Sequence, residues 1–171
     1  KNLSSNGVAY ISYNTLPGFN LLKSLREMML YHTQRFSNPK QKIQQALLLL
    51  NFIKENTSKK NMAYQSIIEN EMKILKQTDD SYFFHEHLGG VSTPCYFYEF
   101  IEHAKQHNLQ YLSNTDIANM FLDNLPKEIS NILQSTGNIA RSEQYRDFLT
   151  NARFRCSLLC HADSTINHSI D

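Results

Sequence analysis

Between Phe19 and Lys76, three successive segments repeat apolar residues at intervals of three and four, a period that admits little besides amphipathic helices packed on one another. Phe19, Leu22, Leu25, Met29, His32 and Phe36 make the first stripe. Asn38-Pro39 then offers a capping side chain followed by proline at the first helical position. Ile43, Ala46, Leu47, Leu50 and Ile53 follow on one face, widened by Leu48 and Leu49, so this helix is expected at the centre of the core. The third segment runs from about Met62 to Lys76 through Tyr64, Ile67, Ile68, Met72 and Leu75.

Strand patterns stand at both ends of the chain. Val8, Tyr10 and Ile11 are strand formers behind the Asn6-Gly7 turn signal, and Pro17-Gly18 closes their segment. After Thr78, "SYFFHEHLGGVS" reads as irregular. Thr93-Pro94 predicts a new helix start, with Phe97, Phe100, Ile101 and Ala104 on its buried side and Asn108 in the left-handed position that ends it. "LQYLS", 109 to 113, reads as extended. Two short helices are expected next, one through Ile117, Met120 and Phe121, the other opening at Pro126 and stopped by Gly137. Ser142 is read as the cap of a last helix bearing Tyr145, Phe148 and Leu149. Phe154, Cys156, Leu158 and Cys160 then alternate with Arg155, Ser157 and Leu159, the mark of a half-buried strand. The expectation is a mainly α, multi-helix fold with two or three short β-strands.

Few constellations could carry chemistry. His85 and His87 of "HEHL" are weak metal-ligand candidates, since in an extended segment they would point to one side. The HExxH pattern places its histidines one helical turn apart, and this spacing fails it. The plainer reading buries one histidine under the Gly89-Gly90 turn and leaves the other in solvent. On a strand, Cys156 and Cys160 lie about 13 Å apart, beyond the roughly 7 Å that a disulfide spans, and cannot share one zinc ion with His161. They read as small apolar fillers. His32 reads as a core histidine, Glu69 and Glu71 share no face, and Glu143 suits the dipole of its helix. Tyr96, Phe97, Tyr98 and Phe100 lack the basic residues that a stacking platform for single strands adds. Walker, dinucleotide-loop and Gly-x-Ser-x-Gly patterns are absent, so no catalytic residue is nominated.

Seventeen basic against sixteen acidic side chains, a net charge of +1, leave no electrostatic footprint for nucleic acid. The longest apolar run, Ala46–Leu50 extended by Phe52 and Ile53, is far short of the roughly 20 residues that cross a bilayer. Three cysteines make no disulfide framework, and a cytoplasmic setting is expected.

The phrases "GVAYISYNTLPGF", "MMLYH", "FFHEHL", "YLS" and "EQYRDFLTNARFRCSLLCH" follow one another from about Gly7 to His161. Together they resemble the methyltransferase regulatory domain that follows the S-adenosylmethionine-binding domain in a group of bacterial class I methyltransferases. The resemblance implies that residues 1–18 are the terminal strand and crossing turn of a preceding Rossmann-like methyltransferase domain, approached through Leu3-Ser4-Ser5-Asn6-Gly7. It makes 19–161 a helical regulatory domain and 162–171 a polar tail. Ser12, Tyr13, Asn14, Pro17, Gly18 and Phe19 become candidates for the substrate mouth or an interdomain contact, because ligands of open α/β sheets gather beyond the carboxyl ends of the strands. Phe19 stands where the family favours tryptophan, and the acidic Gly-x-Gly cofactor loop is missing. S-adenosylmethionine is thus implied for the full-length protein and no cofactor for this piece.

The implied role is non-catalytic: regulation or substrate positioning for the methyltransferase catalytic domain of the same chain, through a cleft wall, domain orientation or a homodimer contact. A protein acceptor is one option for the whole enzyme. Two other classes stay open, a small metal-dependent enzyme using His85, His87 and His161, and a generic protein-interaction domain.

Overall fold

The computed structural model describes residues 3–115 and 126–166, and the helix expected through Ile117, Met120 and Phe121 lies outside them. The chain divides into two compact units, Lys1–Phe19 with Thr93–Asp171, and Asn20–Ser92. The second is therefore an insertion within the first, where the resemblance implied one helical domain over 19–161.

The inserted unit holds α1 (Phe19–Thr33, starting at the boundary), α2 (Pro39–Asn56), α3 (Met62–Gln77) and the short α4 (Asp80–Phe83), continued by a π-helical turn over Phe84–Leu88. Asn38 caps α2 as its sequence predicts, its side chain accepting from Gln41 N at 3.2 Å, with Pro39 at the first position. Leu25, Met29, Ile43, Ala46, Leu50, Ile68, Met72 and Leu75 from the three stripes pack into one core with Phe83 and Leu88. Leu48 faces solvent, so the buried face of α2 is narrower than its composition suggested. The stretch read as irregular is helical as far as Leu88. Asp79 caps it by accepting from Ser81 N and Tyr82 N, and buried Arg26 donates to the carbonyls of Glu86, Gly89 and Gly90 where it ends. A helix end buried without such donors would carry unsatisfied carbonyls.

The other unit holds β1 (Ala9–Asn14), α5 (Phe97–Gln106), β2 (Leu109–Asn114), α6 (Lys127–Ser135), α7 (Ile139–Thr150) and β3 (Phe154–His161). Its sheet has the order β1-β3-β2 with both pairs antiparallel, and Tyr13 lies opposite Arg155. Thus β1 pairs inside this chain, and any sheet continued by a preceding domain would use its other edge. Phe97, Ile101 and Ala104 of α5 pack on Tyr111 and Leu159, with Ala9 and Ile11 beside them. Asn108 ends α5 with φ 57°, the left-handed value expected for it.

Two helix starts differ from expectation. Backbone Cys95 is engaged by Thr15 in an isolated bridge, so α5 begins only after Tyr96, whose N–H donates to Glu99 at 2.8 Å. Asn138 rather than Ser142 caps α7, accepting from Arg141 N at 3.1 Å. Two faces also differ. α7 buries Ser142, Glu143, Gln144 and Asp147 while Tyr145, Phe148 and Leu149 are exposed, and β3 buries Arg155 and Ser157 while Phe154 is exposed.

Candidate functional site

The six residues singled out run from the carboxyl end of β1 through a clamped turn, 15–18, to the start of α1. Thr15, fully buried, donates from N to Arg153 O at 3.0 Å and from Oγ1 to Cys95 O at 3.0 Å. Leu16 N donates to Cys95 O, Cys95 N to Asn14 O, and Gly18 N to Ala152 O at 2.9 Å. The Leu16-Pro17 bond is cis. The turn is thus fixed on one side by the chain returning at Cys95 and on the other by the link between α7 and β3. Gly18 is the tightest point, since a Cβ there would overlap Asn151 O and stand 2.6 Å from Ala152 O. Of the six, Ser12 is exposed, Tyr13, Asn14 and Pro17 are half-buried, and Gly18 and Phe19 are buried. Tyr13 turns inward, stacking on Phe100 with ring centroids 4.2 Å apart and sharing a 3.4 Å hydrogen bond with Ser157.

Beneath this turn lies a buried charge cluster that pattern reading missed. Arg155 Nε donates to both Asp147 oxygens at 2.9 and 2.8 Å, and Nη2 donates to Glu143 O at 3.1 Å and Oε2 at 3.0 Å. Arg146 approaches the other Glu143 oxygen at 3.7 Å, and Tyr111 OH donates to Oε2 at 3.4 Å. The Arg155 guanidinium also lies 4.1 Å from the centroid of Phe97. Two cations meet two carboxylates, so the cluster is neutral and tolerates burial. This is why α7 and β3 turn polar faces inward. Desolvation works against the charge on Arg155, yet Asp147 and Glu143 carry its pKa above the ordinary value. Burial raises the Asp147 carboxyl above the usual range, against the pull of Arg155. Glu143 is therefore an ion-pair partner and not merely a dipole residue. A sequence signal existed: Glu143 and Asp147 are like charges one helical turn apart, an arrangement that costs stability unless a cation answers it.

Burial also raises the pKa of Tyr13 and of Tyr111 well above the usual phenol value. Because the folded pKa exceeds the unfolded one, each contributes stability that is complete below about pH 10 and is lost as pH rises beyond it. Alkaline titration followed by circular dichroism and phenolate absorbance is expected to show these two phenols ionising only together with unfolding. The Tyr13→Phe and Tyr111→Phe changes should shift that transition upward. Ionisation of both phenols ahead of unfolding contradicts it.

The remaining candidates separate. His85 is exposed and meets Glu86 at 3.1 Å, whereas His87 is buried with its ring edge-on to Phe83. The segment is a π-helical turn and not extended, and the pair does not share a side. No group of three or more His, Cys, Asp or Glu that could hold a metal occurs among the described residues. Cys156 accepts from Tyr10 OH, Cys160 is buried, and His161 Nε2 lies 3.0 Å from Ser4 O. His32 is half-buried, Glu71 is buried, and Glu69 pairs with Lys54 at 3.6 Å. No helix among the described residues is long and apolar enough to cross a membrane.

Residues 79–161 match the family described as a predicted methyltransferase regulatory domain. The whole chain is 44% identical to the uncharacterized protein RP789 of Rickettsia prowazekii (strain Madrid E), spanning 31% of it. It is 28% identical over 153 residues to the uncharacterized protein sll1526 of Synechocystis sp., spanning 30% of that protein. The solved structure of PKMT2 from Rickettsia typhi in complex with AdoHcy matches 99% of this chain with a TM-score of 0.85 at 44% identity, over 32% of its own length. The chain thus spans about a third of the proteins it matches.

The cofactor that the resemblance implies needs an open glycine turn, which the strand-to-helix step among the described residues does not offer. The one glycine between a strand and a helix, Gly18, has its open side filled by the backbone of Asn151 and Ala152, leaving no room for a ligand to approach.

Proposed function

We propose that this chain is the non-catalytic regulatory and substrate-positioning part of an S-adenosylmethionine-dependent methyltransferase, acting by packing against the catalytic domain of the same protein. The carrying observation is the sheet. β1 is an edge strand, and the face bearing Tyr10 and Phe154 is exposed while the opposite face packs on α5. Exposed apolar edges invite a further strand, and a catalytic domain with a doubly wound sheet would supply one beside β1. Ser12 and Asn14 would then stand near the substrate mouth, beyond the carboxyl ends of the strands. S-adenosylmethionine would be held by the catalytic domain.

Hydrogen exchange compared between this chain and the full-length protein tests the packing. The outward amides of β1 are expected to become strongly protected only in the full-length protein, and only that protein should bind S-adenosylmethionine in calorimetry. Equal exchange of β1 in both, or cofactor binding by this chain alone, contradicts the reading.

A further inference from the structure

Because α7 turns Glu143 and Asp147 inward, the neighbouring stripe of Arg141, Gln144, Tyr145 and Phe148 faces another way. That stripe lines a cleft of about 390 Å³ opposite Tyr98, Glu102 and Lys105 of α5, within the size range of small-ligand sites. Its walls are aromatic: Tyr145 stands edge-on to Phe148 at 6.1 Å, and Tyr96 bridges Phe148 and Tyr98 at 6.0 and 5.5 Å.

Two polar features point to the occupant. Gln144, 6% exposed, accepts from the Tyr98 backbone N–H through Oε1 at 3.0 Å. A peptide N–H can meet only the oxygen, so the amide orientation is fixed and Nε2 is the buried donor left without an acceptor. Lys105 is neutralised by Glu102 at 2.7 Å. The exposed Arg141 side chain has no partner among the described residues, so the cleft carries one uncompensated positive charge. A single charge suits a monoanion and repels an amine.

We infer that this α5–α7 cleft is a binding site for a carboxylate joined to an aromatic or apolar body. One carboxylate oxygen meets Arg141, the body lies against Tyr98, Tyr145 and Phe148, and the other oxygen accepts from Gln144 Nε2 once the side chains covering that atom part. A free aromatic acid and a peptide ending in an aromatic residue share this chemistry.

Saturation-transfer NMR on this chain, with phenylacetate, phenylacetamide and phenethylamine as probes, tests the site. Phenylacetate is expected to bind, the amide more weakly and the amine not at all. Arg141→Ala, a solvent-facing change that should leave thermal unfolding unaltered, is expected to weaken phenylacetate about tenfold or more. Gln144→Met should weaken it as well. A short peptide with free carboxyl-terminal phenylalanine, against its amidated form, separates the sources: tighter binding than phenylacetate that amidation abolishes assigns the site to peptide ends, and otherwise it belongs to free acids. No binding of phenylacetate at millimolar concentration, or binding that Arg141→Ala leaves unchanged, overturns the inference.

Discussion

Arg155→Met is expected to cost about 3–5 kcal/mol, the range found when one partner of a buried ion pair is removed. Methionine can fill the space over Phe97, but it cannot donate to Asp147 or Glu143, whose oxygens now accept four hydrogen bonds from this one guanidinium. Both carboxylates would be left buried, with Arg146 answering only the far oxygen of Glu143 at 3.7 Å. Total stabilities of about 5–15 kcal/mol make such a loss a large fraction of the whole. Urea unfolding followed by circular dichroism should show a sharp fall in midpoint at unchanged slope. The companion variant, Arg155→Met with Asp147→Leu and Glu143→Met, removes the orphaned charges and should recover much of the loss. If Arg155→Met alone unfolds at the wild-type midpoint, the cluster does not hold α7 on the sheet.

The same cluster explains where sequence reading stopped. Periodicity located the inserted helices well because their burial is purely apolar: Ile43, Ala46 and Leu50, or Ile68, Met72 and Leu75, fall inward as a 3.6-residue period requires. Local chemistry was equally legible at Asn38-Pro39 and at Asn108, since a cap and a left-handed residue depend on neighbours in sequence alone. On β3 and α7 the period was right and the face reversed. Arg155 and Asp147 satisfy one another across a turn, so a polar stripe became the inside, and no count of apolar residues reveals that pairing. The start of α5 failed for a related reason. Thr93-Pro94 has the composition of a helix start, but the bridge between Cys95 and Thr15, 80 residues apart, keeps this stretch extended. Of the candidate site, the sequence located the turn after β1, whereas what grips it comes from residues 95 and 151–153, which only the fold brings there.

That grip is most exposed to test at Gly18. Gly18→Ala is expected to destabilise the chain by about 3 kcal/mol or more, the upper range of overpacking effects. The added carbon meets the backbone oxygens of Asn151 and Ala152 and not a side chain that could swing aside. Asn151 is itself held at φ 51° as the link between α7 and β3, and Ala152 N is tied to Asp147 O at 3.0 Å, so the obstructing strand has little freedom to retreat. Relief must therefore come from the turn, by loss of the 2.9 Å bond from Gly18 N to Ala152 O and displacement of Thr15 and Leu16 from Cys95. Gly18 is not at a positive φ, so this is a steric requirement and not one of backbone conformation, which gives a discriminating control. Asn151→Gly relaxes the opposing residue without adding volume, and combined with Gly18→Ala it should recover part of the midpoint in thermal unfolding. On the function proposed above, the Gly18→Ala change in the full-length protein should also reduce methyl transfer beyond what its folded fraction explains, because the turn adjoins Ser12 and Asn14 at the end of β1. Wild-type stability in Gly18→Ala refutes the close approach, and normal transfer per folded molecule separates the clamp from the proposed substrate mouth.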